Sequence, residues 1–133
     1  MTNNGNSINL LSTVSFSSDS LEKDTTDGKL IEFPLLVTKF LGKKIPAAGG
    51  FYLRTLPMRV IKNAIRQYEK QEIPASFYIH SWELTPEFMP KVDLPFKDKF
   101  ITYHNLAKAY SRMERLLESF NFTSFDKYLL EYN

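Results

Sequence analysis

At 133 residues, 43% of them hydrophobic and including 11 Phe and 7 Tyr, the chain is long enough for one domain with a buried core and too short for two of ordinary size. Its 17 basic and 15 acidic side chains leave a net charge of +2, which excludes the strong positive field of a nucleic-acid binder or a binder of anionic lipid. There is no cysteine, so disulfides and thiolate metal sites are excluded, and no apolar run approaches the length needed to cross a membrane.

Residues 1–28 carry one Lys and four acids, against 16 basic and 11 acidic side chains in residues 29–133. This first stretch is rich in Ser, Thr, Asn and Asp and poor in apolar periodicity, which predicts a flexible polar tail ahead of a folded domain at 29–133. Its apolar residues between Ile8 and Phe16 are broken by Asn9, Ser12, Thr13 and Ser15, and the first cation is Lys23. No secretory signal is read there, so the location is unknown, with the cytoplasm as the default.

Residues 30–37 (Leu-Ile-Glu-Phe-Pro-Leu-Leu-Val) form a strand candidate in which Pro34 removes a ladder donor and implies an edge, a bulge or an interruption. Residues 45–50 read as a turn, with Gly49 and Gly50 supplying unusual backbone angles. Leu56, Val60, Ile61, Ala64, Ile65 and Tyr68 recur at helical spacing and predict an amphipathic helix to about Lys70, capped by Thr55 with Pro57 in its first turn. A short apolar strand from Ala75 to His80 follows, completing a strand, helix, strand unit of the kind that covers a parallel sheet.

Pro86, Pro90 and Pro95 predict an extended surface loop over residues 85–95. Phe100, Tyr103, Leu106, Tyr110, Met113, Leu116 and Phe120 predict a second helix, restarting at Asn105 or at a capping box beginning with Ser111. Phe122 and Thr123 are read as a brief strand, and Ser124 as the cap of a short last helix. The fold class is therefore α/β, with few strands, two main helices and a short C-terminal helix. So few strands cannot close a barrel or cover a parallel sheet, so something is expected to be missing.

Several stretches together carry a resemblance: Glu32-Phe33-Pro34-Leu35, Gly49-Gly50-Phe51-Tyr52-Leu53-Arg54 followed by Leu56-Pro57, Phe77-Tyr78-Ile79-His80-Ser81-Trp82-Glu83-Leu84, Tyr103-His104-Asn105-Leu106 and Phe120-Asn121-Phe122-Thr123. From about Leu30 onward the chain resembles the C-terminal part of bacterial polysaccharide deacetylases, the NodB-homology carbohydrate esterases, in the subgroup with a C-terminal extension of unknown role. The resemblance implies a distorted (β/α) barrel, of which this chain is a partial, barrel-like fragment, and a divalent metal, such as zinc, held by one Asp and two His. That metal activates water for attack on an N-acetyl group, an aspartate takes the water's proton, and a histidine falling on His80 protonates the departing amine. An imidazole suits that last step because it titrates near neutral pH.

The chain departs from the family in lacking Thr-Phe-Asp-Asp, His-x-x-x-His, His-Ser-x-x-His and Arg-x-Pro-Tyr, which would supply the base, the metal ligands and the arginine that positions the base. His80 and His104 alone fall short of the three ligands of a catalytic metal, so no metal or cofactor site is read in this chain. Ser81 stands where family members usually have Pro, and Phe51 where they have Gly, a change at odds with any positive φ there.

His80 is thus expected as a vestigial general acid, the alternative being a strand-end ring satisfied by backbone. Arg54 is expected either to brace a carboxylate or to make a surface ion pair. Tyr52, Trp82 and Glu83 are candidates for a shallow sugar platform, against packing of Trp82 on the Pro-rich loop and a solvated or helix-proximal charge at Glu83. The expected function is that of a C-terminal deacetylase-like fragment, inactive alone. A non-catalytic carbohydrate-binding or assembly module is the alternative. A polysaccharide, a complementing chain and a second copy are the candidate partners; nucleic acid and membrane are not.

Overall fold

The computed structural model describes residues 22–132. Among them, two antiparallel hairpins precede a helical remainder. Strands β1 (Glu22–Thr25) and β2 (Gly28–Ile31) pair with Glu22 opposite Ile31. Strands β3 (Val37–Phe40) and β4 (Lys43–Pro46) pair with Val37 opposite Pro46, around a two-residue turn in which Leu41 and Gly42 have φ of 50° and 77°. A turn with both central residues at positive φ matches the right-handed twist of its strands. The expected tail therefore orders into a hairpin from Glu22 onward, while residues 1–21 lie outside the described residues.

Helix α1 (Gly50–Thr55) leads into α2 (Met58–Lys70), α3 (Ser81–Leu84), α4 (Phe96–Tyr103), α5 (Ala109–Ser119) and α6 (Phe125–Tyr132). Short 3-10 turns stand at Pro86–Phe88 and Leu106–Lys108. The inner face of α2 buries Ile61, Ala64, Ile65 and Tyr68 at the predicted spacing, and these pack with Leu36, Leu53 and Leu116 in a single core. Removing those side chains from water is the main force holding hairpin, helices and loops together. The Tyr68 hydroxyl accepts a hydrogen bond from Val37 N–H at 3.0 Å, fastening β3 to α2.

The α/β class holds, and the sheets stay open. Residues 74–80 run extended, as expected, but join the rest through two isolated parallel bridges, Leu35 to Ser76 and Gly49 to Tyr78, rather than a ladder. Pro34, which has no N–H, lies where the predicted strand over residues 30–37 breaks in two.

Other expectations are corrected. Thr55 does not cap α2; it closes α1, a helix absent from the sequence reading, whose turn over residues 45–50 took in only Gly50, and Pro57 sits at the N-cap instead. Gly49 has φ −84° and Gly50 begins a helix, so neither supplies an unusual angle, and Phe51, inside that helix, needs no positive φ. Of the two restarts expected in the second helix, the one at Asn105 holds, with φ 53° there, whereas Ser111 lies within α5, and Phe122 and Thr123 form no strand. Ser124 does cap α6, accepting from Lys127 N–H at 3.3 Å.

Candidate functional site

Arg54 occupies the last turn of α1, one turn from Gly50, on the face that α1 turns toward the rest of the fold. Its guanidinium is 1% exposed, and all of its donors are engaged. Nε donates to Gly50 O at 3.1 Å, Nη1 to Thr102 O at 3.2 Å and His104 O at 2.6 Å, and Nη2 to Ile101 O at 3.1 Å and Glu83 Oε1 at 3.0 Å. Three of these acceptors are carbonyls at the C-terminal end of α4, which have no partner within their own helix. A cation there meets both the unpaired oxygens and the negative end of the helix dipole.

The carboxylate that balances this charge is 3% exposed. Glu83 is the third residue of α3 and reaches back so that Oε2 accepts from His80 N–H at 3.0 Å, while Oε1 takes the Arg54 guanidinium. It lies directly over Gly50: a β-carbon there would stand 2.0 and 2.1 Å from the two carboxylate oxygens. Asn105, held in the left-handed region, donates its amide to Arg54 O at 3.3 Å. From α5, Arg112 donates to Leu53 O and Leu56 O, so one arginine closes the C-terminal end of α4 and another that of α1. Burial, and next the charge of Arg115, pull the Arg112 pKa below its ordinary value.

His80 is the N-cap of α3, in extended conformation at the point where residues 74–80 leave the two bridges. Its ring is 46% exposed, with Nδ1 3.5 Å from Glu83 Oε2 and Nε2 2.8 Å from the Tyr78 hydroxyl. The Trp82 ring stacks beside it at 5.3 Å and 21°, and Tyr78 meets it edge-on at 4.8 Å. The ring thus has a carboxylate beside one nitrogen and a phenol beside the other, with its remaining face toward solvent.

The structure thus brings Arg54, His80, Trp82 and Glu83 together. Tyr52 stands apart from them, half-buried against the core with its ring edge-on to Phe51 at 5.5 Å. Arg54 and Glu83 form a buried ion pair and not a surface one, and Glu83 lies within α3. Gly50, Tyr78, Asn105 and Arg112 belong to the same assembly and were not singled out for it. Tyr78 was within reach of sequence reasoning, because on an extended segment it shares a face with His80 two residues on.

Among the described residues, no three His, Cys, Asp or Glu gather as a metal site would require. The donor set does not fit the metal that the resemblance implies.

The fold and site define a small open α/β domain built around a buried arginine–glutamate pair. Residues 7–130 match a family described as a domain of unknown function (DUF3473), and the chain belongs to that family. No curated protein and no solved structure matches it.

Proposed function

We propose that this chain is the C-terminal part of a polysaccharide deacetylase-like protein, that it is hydrolytically inactive alone, and that His80 occupies the place of the acid that protonates the departing amine. One observation carries the reading. Three stretches that make up the resemblance, residues 49–54, 77–84 and 103–106, are far apart in sequence and meet at one point beneath His80. In that role the imidazolium gives one N–H proton to the nitrogen of the breaking amide bond and is left as neutral imidazole.

Incubating the chain with an N-acetylglucosamine oligomer and Zn²⁺ or Co²⁺ is expected to release no acetate. Turnover that depends on both the metal and His80 overturns the proposal.

A second reading, a non-catalytic carbohydrate-binding module, draws on the adjoining rings of Tyr78, His80 and Trp82, of which Tyr78 is 56% exposed. Flat aromatic faces stack on apolar faces of sugars. Glu83 is too buried to take part, so such a platform differs from one built on Tyr52, Trp82 and Glu83. Trp82 is the only tryptophan, which makes its fluorescence a direct reporter. No change on titration with glycans at millimolar concentration rules the platform out.

A further inference from the structure

An apolar groove of about 510 Å³ runs between residues 74–79 and the start of α6, with Phe33, Phe77, Met113 and Phe122 in its walls. One wall is an open strand edge. Ser76 O accepts from Leu36 N–H and Tyr78 N–H donates to Ala48 O, which places both bonds on one side of the extended segment, since residues two apart share an edge. Phe77 and Ile79 turn their N–H and C=O groups to the opposite side, where they meet no backbone partner among the described residues. Ser76 also lines the groove, and its hydroxyl is buried with no hydrogen-bond partner among the described residues. Unpaired groups along an edge are a template for one more strand, and an apolar trough beside them selects a strand with one apolar face.

The register of the first hairpin shows which chain arrives there. Glu22 pairs with Ile31, and Phe33, two residues further on, is already in the groove wall, so β1 begins close to the groove. Upstream, Ile8, Leu10, Val14 and Phe16 share one parity in the sequence and Asn9, Thr13 and Ser15 the other, with Leu11 and Ser12 out of phase, an interrupted period-two pattern. The family match starts at residue 7, which makes this stretch part of the same domain. An extended chain from residue 22 back to residue 16 spans up to about 20 Å, enough to reach along the groove.

We propose that residues 8–16 of this same chain add as a strand to the edge at Phe77 and Ile79, with Val14 and Phe16 among the side chains that fill the groove. The proposal does not depend on any hydrolase ancestry.

Because the chain has no cysteine, a nitroxide can be placed at one site through Ser15→Cys. In the full-length, ¹⁵N-labelled protein, the label is expected to attenuate the amide signals of Phe77, Ile79 and Phe122 to the same degree at all protein concentrations. Undiminished signals at these three positions overturn the proposal. So does attenuation that appears when labelled ¹⁴N protein is mixed with unlabelled ¹⁵N protein, which assigns the edge to a second copy. The double variant Val14→Asp/Phe16→Asp is expected to speed hydrogen exchange at Phe77 and Ile79 at least tenfold while Ile61 and Ile65 in α2 keep their rates. Unchanged exchange at Phe77 and Ile79 overturns it as well.

Discussion

The Glu83 carboxylate rests on the Cα of Gly50, so near that a β-carbon on Gly50 would stand 2.0 and 2.1 Å from its oxygens. Gly50 is therefore required for its lack of a side chain and not for any freedom of φ, since it lies within an ordinary helix. Gly-to-Ala in a helix normally stabilises by about 0.5–1 kcal/mol. In Gly50→Ala the methyl has to push the carboxylate off Arg54, and the expected outcome is a net loss. The urea midpoint checks this: a midpoint at or above that of the unsubstituted protein refutes the close packing of Gly50 against Glu83.

Arg54→Met keeps the apolar stem and removes every donor. It leaves Glu83 buried without its countercharge and three carbonyls at the end of α4 unpaired. Breaking a buried pair in this way costs about 3–5 kcal/mol, a large share of the stability of a small domain. Arg54→Lys is expected to recover little of it, because an ammonium has three donors and no planar fork. Denaturant unfolding of both variants tests the point, and a Lys variant within about 1 kcal/mol of the unsubstituted protein would show that charge alone suffices.

The parts of this assembly that are legible in the sequence are those set by local rules. Helical spacing announces the buried face of α2, and Pro34 announces a break in the first long apolar stretch. Ser124 announces the start of α6. Helix α1 is harder to read because Gly49 and Gly50 look like a turn; the demand for glycine comes from Glu83, 33 residues away, a contact no local pattern carries. For the same reason the carbonyl-capping role of Arg54 and Arg112 stays hidden: those acceptors lie 47 to 59 residues away. The exposed ring of His80 at the end of an extended segment was legible. The buried carboxylate three residues later was not, since a Glu in a polar stretch reads as a surface charge.

Asn105 sits at φ 53° and donates its amide to Arg54 O, so two effects are combined in one residue. A left-handed backbone costs most side chains about 1–2 kcal/mol, and Asn and Gly much less. Asn105→Gly keeps the backbone conformation and loses only the amide, whereas Asn105→Ala loses both. The expected order of urea midpoints is Asn, then Gly, then Ala. An Ala variant as stable as the Gly variant would show that the backbone conformation at residue 105 contributes nothing.

Tyr68 links the core to pH. Burial raises its pKa above the ordinary value of about 10, and the hydrogen bond it accepts from Val37 N–H offsets only part of that rise. A proton is thus held more tightly in the folded chain than in the unfolded one between those two values. The stability this provides is complete below about pH 10 and is lost as pH rises through the folded-state value. Tyr68→Phe has no such proton to lose, but leaves Val37 N–H without its acceptor, at a cost of about 1–2 kcal/mol near neutrality. The difference in stability between the two proteins is therefore expected to shrink as pH rises from 8 to 11, whatever the lysines and the other tyrosines do in both. Urea titrations of each protein across that range give the difference directly, and one that stays constant or widens with pH removes Tyr68 as the source of the alkaline transition.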